Sequence, residues 1–237
     1  MPAQISTIDL LDACERRPRE TAASRVDRVL GLAWSAGELA GDTAGLRHRR
    51  VLELRRELAG SRWPCVTNCP ACAALLDVEL DVAEVLAAGG GGVERQVAVA
   101  WGGETLTLRV PSWGELLAGA RTAVGIDDAV DELIAACLLE GEIAAPIPLS
   151  LREAVEVAFE AADPLGVIAL ELRCPACGAD AAPVVDLASL WADELDGYAA
   201  GLVAEVDALA RAYGWSEREI LALPASRRRA YLARIGA

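Results

Sequence analysis

Four of the seven cysteines repeat one pattern: Cys69-Pro70-Ala71-Cys72 and Cys174-Pro175-Ala176-Cys177 are near copies. A Cys-x-x-Cys turn at the tip of a hairpin aims two sulfurs at one point. Two such turns facing each other supply four thiolates at tetrahedral positions. Zinc suits that donor set, because it has no redox chemistry and accepts four soft ligands. Its binding free energy then becomes folding free energy. The pattern predicts one structural Zn2+ held by Cys69, Cys72, Cys174 and Cys177. Four cysteine ligands leave no open position for water or substrate, so such a site holds a fold and hydrolyses nothing. The competing chemistry is a redox dithiol. Two matching copies without a βαβ pattern around either argue against it.

The remaining candidates are weaker. Cys65 lies four residues before Cys69 and could compete for the metal, but it reads better as a spare thiol on the strand entering the first knuckle. Cys14 and Cys137 fall in helical patterns and read as small buried apolar residues. His48, the single histidine, sits among Arg47, Arg49 and Arg50 and reads as a solvated surface residue. No Ser-His-Asp arrangement and no open metal motif is present, so no enzyme is expected. Gly89–Gly92 has no following Lys-Ser/Thr and reads as a flexible break, not a phosphate cradle. The acidic pairs Asp127-Asp128 and Asp131-Glu132 suit a helix start, where they favour the macrodipole.

The elements that must position the cysteines follow from periodicity. Leu76 to Val82 alternates cleanly after the first knuckle, and 182–187 is extended after the second. Residues 73–173 separate the knuckles, too long a stretch for a loop, so it must be a folded insertion whose ends the metal ties together. Before the first knuckle, helices are expected over Thr7–Arg17, Thr21–Ser35 and Thr43–Ala59. The arginines of the third lie mostly off its apolar stripe, and Gly60 stops it. Inside the insertion, 97–100 and 105–110 flank a Trp101-Gly102-Gly103-Glu104 hairpin turn. Ser112/Glu115 and Ser150/Glu153 form capping boxes for two helices, with another helix over Asp127–Leu139 between them. After the second knuckle, Leu187–Tyr213 reads as one long amphipathic helix stopped by Gly214. Ser216 and Glu219 make a third capping box, and Trp215 with Ile220 matches a hydrophobic staple. Trp215, Arg227, Arg228, Arg229 and Tyr231 then place aromatic anchors beside clustered positive charge, the residue types that carry interface energy.

The fold class expected is α+β, mostly helical, with a zinc ribbon assembled from two distant knuckles, a small αβ insertion and a long C-terminal helical arm. The segments are 1–60 (helical), 61–82 and 165–187 (the two ribbon halves), 83–164 (insertion) and 188–237 (docking arm). Length and composition agree. The 237 residues are 54% apolar, ample for a packed core. Every basic residue is arginine, and 22 of them against 36 acids give a net charge of −14. Such a surface repels phosphates, which makes general nucleic-acid binding a poor expectation. No apolar run is long enough to span a bilayer. Met1–Leu11 has neither a basic start nor an apolar core of signal-peptide length, so a cytoplasmic protein is expected.

Several pieces recur together in a known family. The helix Leu46–Leu58 leads into Cys69-Pro70-Ala71-Cys72, and Leu108-Arg109-Val110-Pro111 follows within the insertion. Ala162-Asp163-Pro164 leads into Cys174-Pro175-Ala176-Cys177-Gly178, and the chain ends with Tyr213-Gly214-Trp215-Ser216, Leu223-Pro224, Arg227-Arg228-Arg229 and Tyr231-Leu232. This set resembles the baseplate-associated proteins of contractile phages and of extracellular contractile injection systems. The Tyr-Gly-Trp-Ser module is similar to that of phage baseplate hub proteins and their assembly chaperones. Cys65 and the glycine break depart from the family pattern. The resemblance implies a non-enzymatic structural or assembly component of a baseplate, with other baseplate, spike or tube proteins as partners and possible incorporation into the assembled particle. The alternative is a zinc-ribbon nucleic-acid-binding or regulatory adaptor, which Asp77, Glu79, Asp81, Asp180 and Asp186 beside the knuckles oppose.

Overall fold

The computed structural model describes residues 5–15, 17, 19–90, 92–122 and 125–236, with the backbone alone at 121 and 122. The first helix ends at Cys14, short of the expected Arg17; residue 16, and Gly91 of the glycine break, lie outside the described residues. The fold is mixed α+β, predominantly helical, with small sheets. In chain order it begins α1 (Thr7–Cys14), α2 (Ala22–Leu30), α3 (Ala36–Ala40), α4 (Ala44–Ala59), β1 (Arg62–Asn68), β2 (Leu75–Asp81) and α5 (Val82–Ala88). Next come β3 (Gln96–Trp101), β4 (Glu104–Arg109), α6 (Trp113–Thr122), α7 (Ile126–Cys137), β5 (Leu138–Glu140) and α8 (Leu149–Ala162). The chain closes with β6 (Leu172–Arg173), β7 (Asp180–Ala181), α9 (Leu187–Tyr213), α10 (Glu217–Leu221) and α11 (Ala225–Ile235). Among the described residues, no helix is long and apolar enough to cross a membrane.

The chain forms two compact units, Met1–Ser35 with Asp186–Ala237, and Ala36–Val185. The 1–60 helical segment is thus divided, and its first part joins the C-terminal helices instead of standing with α4.

The helical unit is built on α9. Asp186 caps it, accepting from the amides of Ala188 and Ser189, and Gly214 ends it at a φ of 70°. Its buried residues Trp191, Leu195, Leu202 and Leu209 recur at helical spacing, and α1, α2, α10 and α11 pack against it. Ser6 and Thr21 cap α1 and α2. The second helix stops at Leu30, short of the expected Ser35, and continues as turns. Arg25 reaches the Ala192 carbonyl and Asp196, joining α2 to α9. The C-terminal arm is therefore a working part of a packed unit: Leu221 shares a core with Leu11 and Leu202.

The second unit holds the knuckles and the insertion. Thr43 caps α4, and Gly60 ends it at a φ of 89°, as the sequence suggests. The arginines of α4 depart from the expected exposed face. Arg47 and Arg55 are buried, Arg47 lying over the Trp113 ring and Arg55 over Trp63. His48 is half-buried too, its Nδ1 hydrogen-bonded with the Leu165 carbonyl at 2.7 Å, so the solvated reading is wrong. The insertion stacks the antiparallel sheet β3-β4-β5 on α7 and α8 through Val99, Leu106, Leu108, Ile134, Ile147, Leu151 and Val155. Gly102 and Gly103 turn the β3–β4 hairpin at φ 60° and 88°, a two-glycine turn that matches the strand twist. Ser112 and Glu115 cap α6 reciprocally. The Ser150/Glu153 box does not form: α8 starts two residues earlier, behind Pro148, which pre-sets the backbone and leaves Ser150 inside the helix. Leu187, where the extended run and the long helix were expected to meet, is the first residue of α9, as the helical pattern places it, because Asp186 captures the next amides.

Candidate metal centre

The two knuckles are built alike. The first is the tip of the β1–β2 hairpin, whose register runs from Arg62 opposite Asp81 to Asn68 opposite Leu75. There the Cys69 amide donates to the Ala74 carbonyl (2.9 Å) and the Ala73 amide donates to the Cys69 carbonyl (2.8 Å). The second is the tip of the shorter β6–β7 hairpin. The Cys174 amide donates to the Ala179 carbonyl, and the Gly178 amide donates to the Cys174 carbonyl, both at 2.9 Å. Each turn needs a left-handed residue directly after its second cysteine. Gly178 takes that conformation freely at φ 74°, whereas Ala73 adopts it at φ 58° with a Cβ in the way. The extended segment after the second knuckle pairs back on the chain before it, through the Leu170–Pro183 and Val185–Ile168 backbone bonds.

The four sulfurs of Cys69, Cys72, Cys174 and Cys177 all lie within 4.8 Å of one another. Cys69 Sγ is 3.9 Å from Cys177 Sγ, and Cys72 Sγ is 3.7 Å from Cys174 Sγ. Four sulfurs at zinc–thiolate distance from a common tetrahedral centre stand about 3.8 Å apart. The donor set is thus compatible with one metal ion. The separations also exceed any disulfide bond, and all seven cysteines are free thiols. One cysteine of each knuckle is buried (Cys69 and Cys174, each 1% exposed) and packs with Leu76, Val78 and Leu172; the other, Cys72 or Cys177, faces outward.

The electrostatics favour the thiolate at Cys174 but not at Cys72. The Cys174 thiol is lowered to about 7, chiefly by the backbone amide of Cys177 and against the cost of burial. Cys72 goes the other way, to about 12. The Ala74 amide lowers it, but the sulfurs of Cys177, Cys174 and Cys69, together with desolvation, outweigh that amide. Four thiols so close share protons until a cation replaces them.

The other candidates fall outside the cluster. Cys65 is buried in β1 opposite Val78. Cys14 and Cys137 are buried, and burial pushes each thiol up to about 11. Among the described residues, no other group of histidine, cysteine and carboxylate ligands converges in this way.

The expected partner-binding residues separate into two kinds. Trp215 stacks on Tyr213 with ring centroids 4.8 Å apart, and Tyr231 meets Trp215 edge-on at 4.9 Å. Tyr213, singled out only as part of the α9 stripe, completes this cluster; its place directly before Gly214-Trp215 was the available signal. Arg227 and Arg229 are exposed. Arg228 is not: it is 3% exposed, with Nε on Glu205 and Nη1 on the Leu223 carbonyl. It fastens α11 to α9 and is withdrawn from any docking face. Comparison of the chain with protein-family models, with curated proteins and with solved structures finds no match.

Proposed function

We propose that this protein is a non-enzymatic structural or assembly component of the baseplate of a contractile phage-tail-like particle, clasped by one zinc ion. The observation that carries the clasp is the meeting of four cysteine sulfurs from two knuckles remote in sequence. Cys69, Cys72, Cys174 and Cys177 would hold Zn2+ in a closed ribbon-type site that secures both ends of the insertion. Closed coordination suits a rigid adaptor and provides no place for catalysis. The baseplate assignment rests on the motif set around both knuckles and the Tyr213–Leu232 segment. Its docking residues are Trp215 and Tyr231 with the exposed Arg227 and Arg229. Its partners are other baseplate, spike or tube proteins, met in the cytoplasm of a bacterial cell, and it remains in the finished particle or leaves as a chaperone.

Two measurements test the reading separately. Elemental analysis of the purified chain should return about one zinc per molecule. Mass spectrometry of intact particles and of free assembly pools from the native host should find the chain with sheath, tube or spike proteins. Arg227→Glu with Arg229→Glu should abolish that association while leaving the zinc content unchanged. A chain recovered only with metabolic enzymes sinks the baseplate role, and a metal-free native protein sinks the clasp.

A further inference from the structure

Two close sulfur pairs in the cysteine cluster cross from one knuckle to the other. Cys69 Sγ stands 3.9 Å from Cys177 Sγ, and Cys72 Sγ stands 3.7 Å from Cys174 Sγ. Each pair also joins an exposed cysteine to a buried one. Cys72 and Cys177 face outward, whereas Cys69 and Cys174 are each 1% exposed and pack with Leu76. A small oxidant arriving from solvent therefore meets Cys72 or Cys177 first. Each of these already has a buried sulfur of the other knuckle beside it.

Hydrogen peroxide is the simplest oxidant for this arrangement. A thiolate at Cys72 or Cys177 takes one oxygen from peroxide, becomes a sulfenic acid and releases hydroxide. The thiolate of the adjacent buried cysteine then attacks that sulfur, the S–S bond forms and a second hydroxide leaves. Each pair gives up two electrons to one peroxide. Two peroxides thus consume all four thiolates and release four hydroxides, and a metal ion left without donors departs. The remaining cysteines are shielded. Cys14, Cys65 and Cys137 are buried, and burial pushes their thiols up, away from the reactive thiolate.

Chain connectivity opposes the crossed pairing, and only the fold favours it. Cys69 and Cys177 are 108 residues apart in sequence, and Cys72 and Cys174 are 102. An unfolded chain closes the short loops Cys69–Cys72 and Cys174–Cys177 far more readily. The geometry points to a peroxide-responsive clasp, in which oxidation joins Cys72 to Cys174 and Cys69 to Cys177, expels the zinc and ties the knuckles covalently in its place. It rests on the zinc site proposed above for the ion released, and on the sulfur positions alone for the pairing. Oxidation then changes the means of the clasp and not its effect, because the ends of residues 73–173 stay joined.

The test uses the full chain, its zinc first counted by elemental analysis, treated with hydrogen peroxide and digested without reduction. Mass spectrometry should find Cys72 linked to Cys174 and Cys69 to Cys177, with Cys14, Cys65 and Cys137 still free. A metal-sensitive dye should register the loss of about one zinc per chain. The oxidised chain should keep 83–164 as resistant to protease as the zinc-loaded form, and a reductant added with chelator should remove that protection. Oxidation in urea with chelator should give the short-loop pairs instead. In the native chain, short-loop pairs, a Cys72–Cys177 bond, sulfinic acids without crossed bonds, or four thiols left intact by excess peroxide would each overturn the inference. So would crossed bonds that leave 83–164 open to protease. A chain that starts without zinc and still forms both crossed bonds upholds the pairing and rejects the zinc site alone.

Discussion

A single backbone conformation distinguishes the two knuckles. Position 178 is glycine and position 73 is alanine, yet both are left-handed. Ala73→Gly should therefore stabilise the first knuckle by up to about 1 kcal/mol, the cost of a Cβ in that region, measured as a higher chelator concentration needed to strip the metal. Cys174→Ser removes a buried donor and should lose the metal and open the 83–164 insertion to protease; unchanged metal content and protease resistance would reject the four-sulfur site. Arg228 carries a third prediction. Arg228→Ala strands Glu205 and the Leu223 carbonyl, and should cost about 1–3 kcal/mol in the urea stability of the helical unit. The cysteines were legible because their spacing declares their geometry. Arg47, Arg55, Arg228 and His48 were not. Arginine and histidine are ordinarily exposed, and only tertiary partners such as Trp113, Trp63, Glu205 and the Leu165 carbonyl reveal which ones are buried.

Most elements could be read from local signals. Caps at Ser112 and Ser216, stops at Gly60 and Gly214, and the Gly102-Gly103 turn all act over a few residues, and all stand where the sequence places them. The misses have the opposite character. Ser150 lost its capping role to Pro148, one residue pair away, and the short α3, α5 and β5 carry too few periodic residues to declare themselves. One cap also sets a pH response. The Arg109 guanidinium holds Glu115 down to about 2, against some desolvation and with help from the Ser112 amide. The folded carboxylate thus titrates below its unfolded value of 4.5. Its stabilisation is complete above the latter and fades as the pH falls from 4.5 to about 2. Side-chain exposures of 33% and 37% keep the effect modest. Acid titration of thermal stability should show a shallower decline for Glu115→Gln than for the native chain across that window, and parallel curves would remove the ion pair from the account.

For the molecule as a whole, the long-range partnerships were the least legible. Nothing in the spacing of residues 1–35 says that they belong with 186–237, because the specificity lies in Leu11 meeting Leu202 and Leu221, and in Arg25 meeting Asp196. The clasp, by contrast, was visible as a repeat. Metal removal should therefore act unevenly. A thiol-competitive chelator should loosen the knuckle ends of the 36–185 unit, while the α9-centred unit, which contains none of the four cysteines, keeps its helicity. Hydrogen exchange with and without chelator resolves the two, and uniform loss of protection would mean that the units unfold as one.

That bracketed arrangement has a consequence during synthesis. A ribosome releases α1 and α2, of 8 and 9 residues, long before α9 exists to receive them. Helices so short are barely helical alone. Until residue 186 emerges, Leu10, Val26, Val29 and Leu30 have no bundle to enter, and the nascent chain presents them as sticky, orphaned surface. The gene's reading direction thus makes the outer bracket the last thing to close, and any pause in translation of the middle lengthens the time for which the apolar faces of its first helices stay uncovered.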